Sequence, residues 1–268
     1  LFSTTMNSTE DYPIGFFDSG IGGTSIWKEV NKLLPKENTI YLADSKNAPY
    51  GQKSKEKILE YCIKNTEFLL NKNAKIIVVA CNTATTNAID YLRKNYKIPF
   101  IGIEPAIKPA ALQSKTKTIG VLATEGTLSS NLFHKTSELY LNDLSLIEQI
   151  GDGIVELIEH GKLNSSEMRD LLIKYLRPMI KAKIDYLVLG CTHYHFLKPI
   201  LKELLPKNIS IIDSSQAVAR QTKSVLQLCK LSNNKALKSE SRFYTNGEQA
   251  VISDLLKSEN VTLKKIEF

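Results

Sequence analysis

Short apolar runs rich in β-branched residues recur along the chain, over residues 14–17, 39–43, 75–80, 98–103, 118–122, 184–189, 209–212 and 242–245. Between them fall stretches with helical periodicity, over 24–34, 54–71, 84–95, 128–140, 152–161, 166–181, 196–204 and 216–229. Continuous apolar runs of this length read as strands buried on both faces, the state of parallel sheets covered by helices. The alternation therefore predicts an α/β fold, with ligands held outside the carboxyl ends of the strands.

Two of the strand ends echo each other. "AKIIVVACNTAT" (residues 74–85) and "IDYLVLGCTHYH" (184–195) each run from apolar residues through a small one to a cysteine, then to polar side chains. "IGFFDSGIGGT" from Ile14 and "IGVLATEGT" from Ile119 form a second pair. The Gly15–Cys81 and Gly120–Cys191 intervals are nearly equal, which predicts duplicated units. We expect two pseudo-symmetric lobes, each a parallel sheet flanked by helices, with the active site in the cleft between them. Lobe one takes residues 13–105 plus 214–268 and carries Asp18 and Cys81. Lobe two takes 106–213 and carries Cys191 and His193. The chain crosses near "EPAIKPA" and returns near "DSSQAVA"; "RFYTNG" is expected as the last strand, completing lobe one. Residues 231–241 read as a polar loop.

Composition removes several classes of function. The formal charge is +7 over 268 residues, but the lysines are spread along the whole chain among acidic neighbours. No dense basic block or RNA-binding signature appears, so the charge reads as a solvated surface without nucleic-acid binding. No apolar run approaches a membrane span. The opening residues 1–12 lack the basic region and apolar stretch of a secretory signal; they read as a disordered tail, with a cytoplasmic address for the chain. The four cysteines form no CxxC pair and no disulfide framework. Cys62 and Cys229 lie in helix-like stretches and read as small buried hydrophobes.

Cys81 and Cys191 are placed for chemistry. If the lobes face each other, the two thiols flank one cleft, and two bases on opposite faces of one carbon can remove a proton from one side and return another to the other. A stereocentre is then inverted without a cofactor. A thiol suits this work because its ordinary pKa, about 8.5, lies near neutrality, yet only a few per cent is thiolate at pH 7. His193, two residues after Cys191, and Asp18, at the end of the first strand, are the candidate assistants. Asn82, Thr83, Thr192 and backbone amides at helix starts can hold a carboxylate. The layout predicts an amino-acid racemase.

Each feature also has a plainer reading. A lone Cys81 is more often a buried structural thiol, a lone His193 a satisfied loop histidine, and Asp18–Ser19 a helix cap. "DSGIGGTS" has no Lys before its Thr and lacks the third glycine of a dinucleotide fingerprint, so it supports nucleotide binding weakly. Cys191, His193 and His195 do not have the spacing of a familiar zinc site. A hydrolase or acyl transferase using a single Cys–His pair would leave Cys81 idle.

"GFFDSGIGG", "NAPYG", "VVACNTAT", "GVLAT" and "LVLGCTHY" together resemble, in this order and over about residues 13 to 247, the signature segments of bacterial glutamate racemase, within the aspartate/glutamate racemase family. The resemblance implies cofactor-independent interconversion of L- and D-glutamate, supply of D-glutamate for peptidoglycan, and a homodimer. It implies that Cys81 and Cys191 are the two bases, the first acting on D-glutamate and the second on L-glutamate, with Asp18 and His193 assisting. Asp18 and Ser19, Tyr50 and Gly51, Asn82 and Thr83, and Thr192 and His193 match the family's substrate-contacting pairs. Aspartate, one methylene shorter, is the rival substrate, since a methylene is worth only about 1–3 kcal/mol in a pocket. Two departures stand out. His195 replaces a usual proline, and "IGDGIVELIEHG" lacks the family's proline-rich pattern. Glu159 therefore shares its candidacy for a family glutamate with Glu156 and Asp152.

Overall fold

The computed structural model describes residues 9–140, 144–233 and 239–268. Most of the expected tail lies outside them, apart from a 3-10 turn at Thr9–Asp11. The centre of the expected 231–241 loop also lies outside. Among the described residues, ten strands form two parallel sheets. β1 (Ile14–Asp18), β2 (Thr39–Ala43), β3 (Ile76–Val79) and β4 (Phe100–Gly102) belong to the first. β5 (Thr118–Ala123), β6 (Ser145–Ile150), β7 (Tyr186–Gly190) and β8 (Ser210–Ile212) make the second. β9 (Ser241–Thr245) and β10 (Thr262–Lys265) return to the first.

The strand orders are β10-β9-β2-β1-β3-β4 and β6-β5-β7-β8. The inner run β2-β1-β3-β4 thus reappears as β6-β5-β7-β8, so the echo in sequence is an echo in topology. β1 pairs with β2 and β3, and β5 pairs with β6 and β7, all parallel. In each sheet the winding reverses beside the central strand, and a crevice opens there at the carboxyl ends. Asp18 ends β1 and Cys81 follows β3 at one crevice; Thr124 follows β5 and Cys191 follows β7 at the other.

Packing explains the pattern. β1, β2 and β3 are buried along their whole length. Trp27, on the helix Thr24–Leu33, stacks edge-on to Phe243 at 4.8 Å and donates Nε1–H to Thr39 Oγ1 at 2.9 Å. One apolar cluster contains Phe16, Trp27 and Tyr41 from the first sheet's side and Leu122, Tyr194 and Leu197 from the second. The lobes therefore share a core.

Several expectations need correction. "RFYTNG" is not the last strand, because β10 adds beside β9. β10 and β6 are edge strands, half-buried or exposed at every position, and neither shows a clean apolar run. The helix expected over 128–140 breaks at Ser129–Ser130, where Ser130 accepts from the Phe133 amide and caps a new helix, Asn131–Glu138. The stretch 196–204 opens as a 3-10 turn over Thr192–Leu197 before the α-helix Lys198–Leu204. Helices Ile107–Gln113 and Gln249–Leu256 had no periodic signal strong enough to read. Cys229 is exposed, not buried, because it caps the end of the helix Ser215–Leu228. No helix among the described residues is long and apolar enough to cross a membrane.

The chain leaves the first sheet after β4 and returns after β8, and the two crossings are tied together. Ser214 Oγ donates to the Glu104 carbonyl. Asp213 Oδ2 accepts from His195 Nδ1 and Lys198 Nζ, each at 2.7 Å, while its Oδ1 accepts from the Ser215 amide at 3.0 Å. Burial works against the Asp213 charge, but the His195 and Lys198 contacts outweigh it and hold this carboxyl well below its usual range. A depressed carboxylate contributes stability above its unfolded pKa and loses it as pH falls. Asp213→Asn is expected to cost about 1–3 kcal/mol in urea unfolding at pH 7, with the gap to wild type narrowing below about pH 4.

Candidate active site

The loop Ser19–Gly23 sits where β1 delivers it, between the lobes. Asp18 Oδ2 accepts from the amides of Gly23 at 2.9 Å and Gly20 at 3.3 Å. The glycines are needed for approach. A Cβ on Gly20 would strike the Glu159 carboxylate, and one on Gly22 the His193 ring. At Gly23 it would lie 2.7 Å from both the Ala80 carbonyl and the Tyr41 hydroxyl. "SGIGG" is therefore an inter-lobe wedge.

On the lobe-one side, Cys81 precedes the helix Asn82–Asn95, and its sulfur accepts from the Ala84 amide at 3.5 Å. The Cys81 thiol lies 3.7 Å from Ser19 Oγ. Burial pushes the Cys81 thiol well up, and the Asp18 charge adds to it, against the Ala84 amide. Cys81 is thus held as a thiol. Burial also raises the Asp18 carboxyl, opposed by the charge of His193 and the Gly23 amide.

On the lobe-two side, Cys191 Sγ is 3.9 Å from His193 Nδ1, and His193 Nε2 is 2.6 Å from Glu159 Oε1. The same Glu159 oxygen accepts from the Ile21 amide at 2.7 Å. Burial disfavours the imidazolium, but Cys191 and Glu159 outweigh it and raise His193 well above its ordinary value. Protonated His193 is the group that can stabilise negative sulfur at Cys191 or return a proton to it. Thr192 Oγ1 donates to Asp18 Oδ1 at 3.4 Å, and Ser25 Oγ to the Thr192 carbonyl at 3.5 Å, closing the lobes over one interior. Cys81 and Cys191 are close enough that charge on the second bears on the first.

The remaining sequence-predicted residues stand around this centre. Asn82 donates Nδ2–H to the Ile103 carbonyl at 3.4 Å, while its buried Oδ1 has no partner among the described residues. Thr83 Oγ1 meets Thr124 Oγ1 at 2.8 Å and Thr127 Oγ1 at 3.3 Å across the lobes. Tyr50 turns its phenol into lobe one, donating to Asp44 Oδ2 at 2.5 Å and accepting from Asn65 at 3.1 Å. It can offer a ligand only its main chain and the adjacent Gly51, which packs against Thr124.

The structure separates the three acidic rivals. Glu159 joins His193; Glu156 accepts from exposed Gln52 at 2.7 Å; Asp152 uses its carbonyl, which accepts from Tyr175 at 2.9 Å. Glu159 is the one the sequence left undecided, because only the helix Ile154–Glu159 and the opposing loop place it. Thr124 and Thr127 are further neighbours that the sequence reading passed over. His195 pairs with Asp213 while His193 pairs with Glu159.

The thiols are nearly sealed, with Cys81 4% and Cys191 9% exposed. A cavity of about 10 Å³, lined by Gly51, Gln52, Thr124, Gly151 and Glu156, is the gap at the mouth. It admits at most one water. Larger cavities of about 540 and 660 Å³ lie beside Leu33–Glu37 and at the lobe crossing, away from the sulfurs.

An Asp/Glu/hydantoin racemase family model matches residues 18–222, which include every residue of this centre. The chain belongs to the Asp/Glu/hydantoin racemase family. Among similar proteins, a glutamate racemase of Herpetosiphon aurantiacus is 43% identical over 241 residues, covering 90% of this chain and 95% of that one. A solved glutamate racemase isoform from Bacillus anthracis superposes with a TM-score of 0.87 at 29% identity, covering 97% of this chain and 98% of that one. The Escherichia coli glutamate racemase, solved with L-glutamate and the activator UDP-MurNAc-Ala, gives 0.84 at 31% identity, covering 95% and 98%. The racemase described here thus has its relatives' fold over almost its whole length.

Burial ranks its thiols. Native protein treated with a thiol reagent should show one fast-reacting cysteine, lost in Cys229→Ser. Cys62, buried with its thiol pushed well up, should react only on unfolding.

Proposed function

We propose that this racemase interconverts L- and D-glutamate without a cofactor, one of Cys191 and Cys81 removing the α-proton from one face of the α-carbon while the other delivers a different proton to the opposite face. The observation that carries this reading is the equivalent placement of the two sulfurs, after β3 and β7, around one interior, each with its own proton partner. A single Cys–His hydrolase would have no use for the Cys81–Asp18 half.

By the family resemblance, Cys191 takes the α-proton of L-glutamate while the Cys81 thiol gives one to the far face. His193 holds the charge near Cys191, and Asp18, with its raised affinity for a proton, recharges Cys81 or relieves it in the reverse direction. The unpartnered Asn82 Oδ1 suits the substrate ammonium, and the amides opening the helix Asn82–Asn95 suit its carboxylate. Ser19, Thr83, Thr192 and the main chain at Tyr50–Gly51 complete the cradle. Glutamate is preferred to aspartate because the relatives at high identity are named glutamate racemases. The D-glutamate serves peptidoglycan synthesis in the cytoplasm, and the chain works as a homodimer.

Wild-type protein given either enantiomer in D₂O should incorporate deuterium at the α-carbon with inversion. Cys81→Ala and Cys191→Ala should each lose net racemisation; full activity in either overturns the two-base reading. Enantiomers have equal free energy, so kcat/KM must match in the two directions in any variant. Asp18→Asn should therefore lower both values equally, by about 10²–10⁴-fold. It should raise the α-deuterium isotope effect on kcat most in the D-to-L direction, where Cys81 must act as the base.

A further inference from the structure

Tyr41 is a buried tyrosine on β2 that the proposed chemistry leaves unused. Its ring is fixed on both sides, stacking on Phe243 at 5.0 Å and on Phe16 at 6.5 Å. Stacking alone would be served by phenylalanine. The hydroxyl, however, donates to the Gly20 carbonyl at 3.0 Å. The same oxygen lies against Gly23, close enough that no side chain fits there. It meets the inter-lobe loop from below at two points.

That loop carries three amides that serve the reacting centre. Gly20 and Gly23 donate to Asp18, and Ile21 donates to Glu159, which orients His193. The peptide whose carbonyl Tyr41 holds is the one whose N–H belongs to Ile21. Fixing the Gly20 carbonyl against the hydroxyl turns that N–H the opposite way, towards Glu159. We propose that the Tyr41 hydroxyl is a positioning group for both halves of the site, setting the peptide plane through which lobe one's acid and lobe two's imidazole are aligned. This rests on the racemase reading for its kinetic consequence, but the placement of the loop does not. Burial, with the charges of Asp18, Glu159 and Cys81, raises the phenol well above its ordinary value, so it stays a donor through the working pH range.

Without the hydroxyl, the Gly20 carbonyl is left without its donor and the loop loosens. Asp18 then loses part of its amide support. Amide donors favour the charged carboxylate, so their loss moves the carboxyl to a higher pKa. The acid limb of the kcat/KM profile should follow it upward.

The test is Tyr41→Phe beside Phe243→Leu, which disturbs the same ring stack but leaves the hydroxyl. Tyr41→Phe should fold, lower kcat/KM about tenfold equally for both enantiomers, and move the acid limb to higher pH. Amide exchange at Ile21 and Gly23 should quicken about tenfold while β1 and β3 stay protected. Phe243→Leu should lower the melting temperature without moving the acid limb. Unchanged exchange at Ile21 and Gly23 in Tyr41→Phe overturns the proposal, whatever the enzyme does. So does an acid limb that stays in place while activity falls only as stability falls. If wild-type protein fails to exchange the α-hydrogen of glutamate yet Tyr41→Phe frees the loop amides, the racemase reading falls and the positioning role stands.

Discussion

One oxygen of Glu159 is shared between an imidazole of its own lobe and an amide of the other. Through that atom the two lobes are held at one spacing, and the acid–base groups acquire their environment. The contact exists because Ser19–Gly23 has no side chain at the three positions facing Glu159, His193, Tyr41 and Ala80. A hydrogen bond to a charged group contributes about 1.5–3 kcal/mol where water is excluded. Parting the lobes gives up the Ile21–Glu159 bond and the Thr192–Asp18 bond together. The electrostatics of the site and its closure are therefore one property.

The two halves reach a similar task by different means. Cys81 is surrounded by a carboxylate, a hydroxyl and a helix-start amide; Cys191 faces an imidazole backed by a carboxylate. The repeated strand order places the sulfurs after corresponding strands, β3 and β7, but their partners differ. The asymmetry fits a reaction that needs one sulfur protonated while the other is ready to take a proton. Since the enantiomers are isoenergetic, this imbalance cannot favour one product at equilibrium. It decides only which form of the enzyme waits for which substrate.

Much of this was legible in the chain. The echo of "VVACNTAT" in "LVLGCTHY" located both thiols and the paired sheets, because a buried parallel strand cannot hide its apolar run. Asp18, Cys81, Thr192, His193 and Cys191 meet as local spacing and strand ends suggested. What stayed hidden depended on contacts between lobes. Glu159 sits on a short helix whose sequence offers three acidic residues, and only the wedge loop selects among them. The side-chain role of Tyr50 was equally invisible, since Asp44 and Asn65, which claim its hydroxyl, are distant in pattern but adjacent in space. β6 and β10 escaped because no position in either is buried, so neither carries an apolar run.

Closure also explains why the lobes are not simply fused. The proposed chemistry favours a dry interior around the sulfurs, where charges act across a low effective dielectric and the hydrogen bonds of Asp18 and Glu159 keep their strength. The substrate is itself charged and must enter from water. The ties are graded accordingly. At the crossing, Asp213 holds the His195 imidazole, the Lys198 ammonium and an amide, and Ser214 is bonded to the Glu104 carbonyl. At the mouth, Gln52 and Glu156 meet in the open, where water competes for both partners and their bond contributes little. Separation therefore costs least at the mouth and most at the crossing. For the proposed reaction, the arrangement would let the chain open to a charged amino acid and rebuild, on closing, a site with little water beside its thiols.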